Sequence, residues 1–232
     1  MKKLFTLFLV LLVGSGSSML AQDCTLYIPN TVGTVLHYQM TNSKGKTMGS
    51  YTQKMISIKN KGGETVFEML QTYIDPKSEE SILKQDTLRF RCKGNVFYID
   101  MDKYLNQKQM ESFQDMEVKI TSEDLVYPPK LSAGQQLKDG SITIEVQTEM
   151  MKISMTTKIV NRKVEAVEDM KTTAGNFNCY KISEDVQSKM GFVNMKLHNV
   201  SWISKDLGMV RSESYNKKGK LDGITQLVKI ER

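Results

Sequence analysis

Apolar and polar side chains alternate along most of the chain. In the segment VLHYQM, Leu36, Tyr38 and Met40 fall on one side of an extended backbone, whereas His37 and Gln39 fall on the other. Because successive side chains of a β-strand point to opposite faces, this alternation is typical of a half-buried strand. The pattern recurs in roughly ten to twelve segments that are separated by turn residues. We therefore predict an all-β, mainly antiparallel fold, in which a strongly curved sheet forms an open or half barrel.

One segment departs from this alternation. In DKYLNQKQMESFQDM, Leu105, Phe113 and Met116 recur at helical spacing, and Asp102 is well placed as an N-cap. We predict one helix near residues 102–116, packed over one mouth or one face of the sheet.

The residues that follow this helix have the character of a connection. The two prolines of YPP (127–129) lack the backbone donors that an interior strand needs. We therefore predict a single β-rich domain over residues 22–232, built from two related halves, 24–120 and 135–232, which are joined by the loop 121–134. One all-β domain of this length is long enough to enclose a sizeable core.

Two short stretches raise the question of a nucleotide site. NSKGKTMGS (42–50) contains the Gly-Lys-Thr that closes a phosphate-binding loop, and NKKGKLDGI (216–224) repeats its N-x-K-G-K-x-x-G pattern. A phosphate loop requires a further glycine where Met40 stands, and it must open a helix, whereas the residues after Thr47 alternate like a strand. The second copy lacks the hydroxyl residue that would bind magnesium. Both stretches are predicted to be hairpin turns.

The first residues have the layout of a secretory signal peptide. Two lysines precede an apolar run (4–13) that is too short to span a bilayer, and small residues follow it. We predict a cleaved signal peptide at residues 1–21, and a mature chain in the periplasm of a Gram-negative envelope or outside the cell. No transmembrane segment is expected after cleavage.

Three cysteines follow the leader: Cys24, Cys92 and Cys179. In an exported protein two of them are expected to form a disulfide, and the sequence leaves the three pairings open. The remaining cysteine is expected to be a buried, unreactive thiol, since no histidine lies near any of them in sequence. Asp23 stands where lipid attachment to Cys24 would require a small residue, which disfavours lipidation and leaves it open.

Charge and residue content argue against several functions. The net charge of +6 falls to about +4 without the leader lysines, and no dense basic run with interleaved aromatic residues occurs, so no nucleic-acid partner is expected. His37 and His198 lie in alternating segments, and their spacing indicates no zinc site. No serine occurs in a G-x-S-x-G motif. We therefore expect a protein that is not an enzyme, with no catalytic residues, no cofactor and no metal.

Methionine is the unusual feature of the composition. Of the sixteen methionines, six lie between residues 150 and 195. Flexible, polarizable thioethers line surfaces that must fit variable apolar shapes. We predict that the protein binds an apolar ligand, a lipid or an acyl chain, in a methionine-rich groove. The predicted lining residues are Met151, Ile153, Met155, Met190, Val193, Met195 and Leu197.

The same pattern allows other interpretations. The methionines would equally fill an ordinary β-core. The main functional alternative is an envelope assembly or protein-interaction module, whose exposed strand edges pair with envelope proteins and which has no small-molecule ligand. Thioethers also bind monovalent copper, and Met151 and Met155 on one strand face would then be the ligands.

Several stretches resemble a known family. CTLYIPNTVGTVLHYQM (24–40), AGNFNCYKI (174–182) and LGMVRSESYNKKGKL (207–221) are similar to the TapB-like family of exported bacterial envelope proteins, which carries a domain of unknown function. The resemblance covers essentially the whole mature chain. It implies a β-rich open or half barrel akin to periplasmic lipoprotein carriers, and it implies no catalytic residues.

Overall fold

The computed structural model describes residues 24–75, 78–104, 116–147 and 152–232. Within these ranges the chain forms one sheet of thirteen strands, and every pair of neighbouring strands is antiparallel. The strands are β1 (Val35–Asn42), β2 (Thr47–Lys61), β3 (Glu64–Asp75), β4 (Ser78–Lys93), β5 (Val96–Ile99), β6 (Glu117–Glu123), β7 (Leu125–Tyr127), β8 (Gly140–Gln147), β9 (Lys152–Thr172), β10 (Gly175–Met190), β11 (Val193–Ser204), β12 (Gly208–Tyr215) and β13 (Leu221–Glu231). The predicted all-β fold is confirmed.

The order of the strands makes the sheet a nearly closed barrel. It runs β6-β8-β9-β10-β11-β12-β13-β1-β2-β3-β4-β5-β7, so the two edge strands, β6 and β7, follow each other in sequence and are separated only by Asp124. Arg162 lies beside this seam and is fully buried. Its Nη1 donates to the carbonyl oxygens of Lys138 at 2.6 Å and Val126 at 3.4 Å. The guanidinium therefore joins the chain segments on the two sides of the seam.

Alternation produces the core as the sequence predicts. In β8 the side chains of Ile142, Ile144 and Val146 are buried, and the residues between them are half-buried. Because a strand presents every second side chain to the same face, this pattern covers one face of the sheet with apolar atoms. The buried residues of the other strands form one contiguous cluster with these three.

Two predictions about the middle of the chain need qualification. Of the helix predicted at 102–116, the structure describes only a single 3-10 turn at Met101–Tyr104 and a bend at Met116; residues 105–115 lie outside the described residues. The segment 121–134 is not wholly a loop, because it contains the end of β6 and all of β7. Both of these strands are edges of the sheet. The relation between two halves of the domain stays a prediction.

The turns match their predicted chemistry. The Asn42 side chain accepts hydrogen bonds from the backbone N–H groups of Lys44 and Lys46, both at 3.0 Å, and Gly45 has a φ of 78°. The second copy has the same arrangement, since the Asn216 side chain accepts from two backbone N–H groups and Gly219 has a φ of 70°. Both stretches are hairpin turns, between β1 and β2 and between β12 and β13.

The cysteine pairing that the sequence left open is resolved. Cys24 and Cys92 form a disulfide with a Cα–Cα distance of 6.1 Å, and Cys179 is a buried free thiol, as predicted for the odd cysteine. Burial, together with Asp169 and Glu168, raises the pKa of Cys179 to about 11. While its sulfur is engaged in the disulfide, Cys24 cannot also form the thioether of a lipid anchor.

Candidate functional site

Six of the seven predicted ligand-binding residues are described, and cross-strand register places them on one face. Met155 pairs with Ile144 on β8 and with Met190 on β10, and Met190 pairs with Val193 on β11. Directly paired residues share a face, as do residues two apart along a strand. By the same register Ile153, Met195 and Leu197 belong to this face, which we call the methionine face. Met151 lies outside the described residues.

The methionine face encloses a groove of about 370 Å³. The lining residues are Ile142, Ile144, Met155, Thr156, Thr157, Ser188, Lys189, Met190, Val193 and Met195. The isoleucines are buried and form the floor, Met155 and Ser188 are half-buried, and the other β10 and β11 residues are exposed at the rim. Large apolar side chains at the rim therefore remain in water, beside an apolar floor that is already covered.

Two of the predicted residues lie on the methionine face but do not line this groove. Ile153 is exposed and pairs with the buried Val146. Leu197 instead borders a second cleft further along β11. The structure thus brings together Met155, Met190 and two residues of β11, and it leaves the two ends of the predicted set outside the groove.

The groove contains one pair of hydroxyl groups. Thr157 and Ser188 lie opposite each other on β9 and β10, and their side-chain oxygens are 3.0 Å apart. Both residues belong to the methionine face. A small number of polar groups in an apolar site can fix the orientation of a ligand without supplying its binding energy.

The opposite face of the same strands is basic. Lys158 and Lys196 both pair with Gln187, one on each side, and Lys189 lies two residues further towards the end of β10. All three lysines are exposed, and they line a depression of about 550 Å³. The end of this sheet is therefore apolar on one face and cationic on the other.

A cleft of about 560 Å³ lies further along the strands and contains a histidine and a carboxylate. Within it, His198 Nδ1 and Asp185 Oδ1 are 2.8 Å apart, and Tyr215 lies opposite His198 on β12. Hydrogen bonds from Asn161 and His198 lower the pKa of Asp185. A histidine oriented by a carboxylate is one part of a nucleophilic site, but the residues that line this cleft include no serine, threonine or cysteine. The cleft therefore lacks the nucleophile that such a site requires.

An ion pair between the buried Arg162 and the half-buried Glu184 also belongs to the methionine face. Glu184 lies two residues before Val186 on β10, and its carboxylate is 3.4 Å from the Nε of Arg162. The Arg162 guanidinium also stacks over the ring of Tyr127, at 4.8 Å from its centroid. Burial raises the pKa of Glu184, although Arg162 partly opposes this effect. The pair interrupts the apolar stripe on β10 between Val186 and the buried Ile182 with a charged group.

Several groove residues were absent from the predicted set. Ser188 could have been found from the two-residue turn at Gly191-Phe192, because a tight hairpin fixes its register and places Ser188 opposite Met195. Ile142 and Ile144 also alternate clearly in the sequence. Their position beside Met155 depends on the connection 148–151, which carries no comparable turn signal.

Neither metal binding nor membrane crossing by a helix has direct structural support. In the described parts of the chain, no group of three or more His, Cys, Asp or Glu residues could hold a metal ion. No helix within those parts is long and apolar enough to cross a membrane. The copper interpretation depends partly on Met151, which is not described.

Comparisons with known proteins agree with this architecture. The DUF3108-like family model matches residues 31–227. A candidate lipoprotein from Parabacteroides distasonis has a similar structure, with a TM-score of 0.70 and 22% identity over 90% of this chain and 100% of its own. A candidate exported protein with a YmcC-like fold, from Bacteroides fragilis, has a TM-score of 0.69 and 18% identity over the same shares. At these identities the likeness shows the fold alone.

No curated protein matches the chain. The family model does not bear the TapB-like name, so that resemblance stays a prediction.

Proposed function

Since this chain belongs to the DUF3108-like family, whose name assigns no activity, we propose from the geometry that it is a non-enzymatic envelope protein that binds an acyl chain in the groove of the methionine face. One observation carries this proposal. Exposed side chains of Met190, Val193 and Met195 rise beside a buried isoleucine floor and leave an apolar volume of about 370 Å³. Ligand pockets commonly have volumes of about 300–1,000 Å³.

Apolar burial would provide the affinity. Covering the exposed rim with an acyl chain removes apolar area from water at about 25 cal/mol per Å². Thioethers adapt to chains of different shape, because methionine has several rotatable bonds and a polarizable sulfur. The Thr157–Ser188 hydroxyl pair offers one polar contact for an ester or carboxyl group.

The proposed compartment rests on two independent observations. A disulfide between Cys24 and Cys92 favours an oxidising space outside the cytoplasm. The two structures of high similarity are described as a lipoprotein candidate and an exported candidate, which is consistent with an envelope location. We propose a periplasmic or secreted protein, delivered by a signal peptide at residues 1–21.

Titration with a fluorescent fatty acid would test the groove. Met155→Asn places an amide inside the apolar lining, and we expect it to weaken probe binding about tenfold. Met48→Asn is the matched control, because Met48 is an exposed methionine on β2, away from the groove. Native mass spectrometry of protein purified from its own envelope would report any lipid that remains bound.

The result that contradicts the proposal is equally clear. Equal affinities of the Met155→Asn and Met48→Asn proteins for the probe would exclude the groove as the binding site. Absence of saturable probe binding by the unmodified protein would exclude acyl-chain binding altogether.

A second candidate function is supported by a strand edge. Pairing between β11 and β12 begins at His198, so among the described strands the backbone of Val193–Leu197 has a neighbour on the β10 side only. A partner strand could add here by β-augmentation. The outer edges of the sheet are poorer targets, because β6 carries three charged residues and β7 has only three residues.

Photo-cross-linking in cells would test this alternative. A photoreactive residue at Asn194 should capture an envelope protein, whereas one at Lys59, exposed on β2, should not. Equal capture at both positions would exclude a specific edge interaction.

A further inference from the structure

The turn between β10 and β11 carries the most exposed large apolar side chain of the described residues. Phe192 is 104% exposed, and Met190, Val193 and Met195 beside it are 56%, 64% and 49% exposed. We call residues 189–196 the β10–β11 tip. Soluble proteins rarely display large side chains so close together unless the patch meets a partner or a membrane.

The two strand segments nearest the tip carry only positive charge, and the acidic Glu145 lies on the next strand, β8, where it pairs with Ser154. The stretches 152–160 and 186–197, which are paired in the sheet, contain four lysines and no aspartate or glutamate. Three of these lysines line the depression on the face opposite the groove. Glu149 lies in the adjoining connection, outside the described residues. Lysines behind an apolar tip are complementary to a phospholipid surface, in which an anionic headgroup layer covers an apolar acyl layer.

The spacing along the strands fits the two layers of a phospholipid surface. At about 3.3 Å per residue, Lys189, which is level with Asn194, lies about 7 Å behind Phe192, and Lys196 lies about 13 Å behind it. Apolar elements that dock on membranes are buried about 5–10 Å into the boundary between headgroups and acyl chains. With Phe192 at that depth, the lysine ammonium groups reach the phosphates.

We propose that the β10–β11 tip docks the protein on an anionic phospholipid surface. Phe192, Met190 and Val193 enter the acyl region, and Lys189 and Lys196 bind headgroup phosphates. Docking requires no ligand in the groove, so it goes beyond the proposed acyl-chain binding. Because Met190 and Val193 also line the groove, its mouth would then open at the lipid surface.

A charged lipid surface explains the tip better than a protein partner does. A partner strand on the Val193–Leu197 edge would account for the exposed β11 residues. It would not account for full exposure of Phe192 at the turn, or for lysines on both β9 and β10. Membrane association scales with buried apolar area together with attraction to anionic lipid, and the tip offers both.

Vesicle co-sedimentation of the purified, oxidised protein tests the proposal. We expect sedimentation with phosphatidylcholine vesicles that contain phosphatidylglycerol, and much weaker sedimentation with pure phosphatidylcholine or at high salt. Phe192→Ser should weaken binding about tenfold. Lys189→Glu with Lys196→Glu should weaken it by about 25-fold or more, at roughly fivefold for each lysine.

Two matched controls address surface chemistry in general. Ile82→Ser removes an exposed apolar side chain on β4, and Lys59→Glu with Lys61→Glu reverses two exposed lysines on β2. Both controls should bind vesicles as the unmodified protein does. Met155→Asn should also keep vesicle binding while it loses the fatty-acid probe, which separates the two proposals.

Three outcomes would overturn membrane docking. The first is the absence of sedimentation with anionic vesicles, and the second is equal binding by the tip variants and their controls. The third is capture of an envelope protein at Phe192 together with no vesicle binding, which would make the tip a protein contact.

Discussion

The aromatic core of β4, β5 and β7 and the methionine face of β8 to β11 follow the same alternation but end in different states. In the aromatic core, Phe97 stacks with Phe90 at a centroid distance of 5.8 Å and meets Tyr27 and Tyr127 edge-on. All four rings are buried. On the methionine face, Met190, Val193 and Met195 stay exposed beside their floor. Identical periodicity therefore gives a closed core in one region and an open groove in the other.

The difference lies in what each region packs against. The segment before β1 covers the aromatic core. The Cys24–Cys92 disulfide links this segment to β4, and its Tyr27 packs against Phe97. Rigid rings with few rotatable bonds fill the space between the strands. The paired ends of β10 and β11 at the Gly191-Phe192 turn extend past the end of β12, so no described strand covers their rim. Flexible side chains there leave volume for another molecule.

Removing one side chain from each region should sharpen this contrast. Phe97→Ala deletes a ring that is 1% exposed, and we expect it to lower the free energy of unfolding by about 3–5 kcal/mol. Met155→Ala removes a half-buried side chain and should cost about 1 kcal/mol, because much of it already contacts water. Urea denaturation of the two variants gives both values.

Equal destabilisation by these two substitutions would break the comparison. It would mean that the groove packs as tightly as the aromatic core, and an open ligand site would then be untenable. Leu88→Ala, at a partly buried β4 position packed against the core, provides an intermediate reference.

The contrast also separates what the sequence could predict from what it could not. Alternation and the turn at Gly191-Phe192 are local, so the shared face of Met190, Val193 and Met195 was predictable. Arg162 was not. Ile159 faces the core, so strict alternation would place residue 162 on the outer face of the sheet. Instead, Asn161 has a φ of 56° and the pairing of β9 with β10 shifts there.

That shift is a β-bulge, in which an extra residue reverses which face the following side chains occupy. It turns Arg162 inward to meet Glu184 and the seam carbonyls. No local residue pattern indicates this position, since the partners come from distant parts of the chain. The disulfide is similar, because spacing alone allowed three pairings and only the closed sheet brings Cys24 to Cys92.

Breaking the disulfide tests whether the aromatic core depends on it. The Cys24→Ser, Cys92→Ser double variant should lose about 2–4 kcal/mol of stability, because the bond closes a long loop in the unfolded chain. Thermal unfolding with and without reductant measures this effect. Reductant should lower the Tm of the unmodified protein and leave that of the double variant unchanged, since the remaining thiol, Cys179, is buried.

A reductant-sensitive Tm in the double variant would assign the effect to Cys179 instead. Fatty-acid probe binding should survive in the double variant at a temperature where it remains folded. The groove lies on β8 to β11, away from the bond.

The two matching turns offer a smaller comparison. Gly45 and Gly219 have φ values of 78° and 70°, and a Cβ at either position would meet no atom within 4 Å. Alanine there should cost about 1 kcal/mol from backbone strain alone. We expect equal losses from Gly45→Ala and Gly219→Ala in urea denaturation. Gly45→Asn should cost less, because asparagine tolerates this conformation, and unequal alanine losses would show that the two turns are not equivalent.

Adjacent residues on β10 provide the finest comparison, between its two faces. Burial raises the pKa of Glu184 above its ordinary value of 4.5, so its contribution to stability is complete below pH 4.5 and is lost as pH rises through the raised value. Hydrogen bonds lower the pKa of Asp185 below its ordinary 3.8, so its contribution is present above pH 3.8 and is lost as pH falls through the lowered value.

The stability of Glu184→Gln and Asp185→Asn, measured by urea denaturation across pH, should therefore differ from that of the unmodified protein in opposite directions. Relative to the unmodified protein, Glu184→Gln should become more stable as pH rises above 4.5, and Asp185→Asn should become more stable as pH falls below 3.8. Burial also raises the pKa of Asp100, but that group is common to all three proteins and cancels in the differences. If the stability differences of the two variants changed with pH in the same direction, both side chains would share one environment. The division of β10 into a buried apolar face and a solvated basic face would then be wrong.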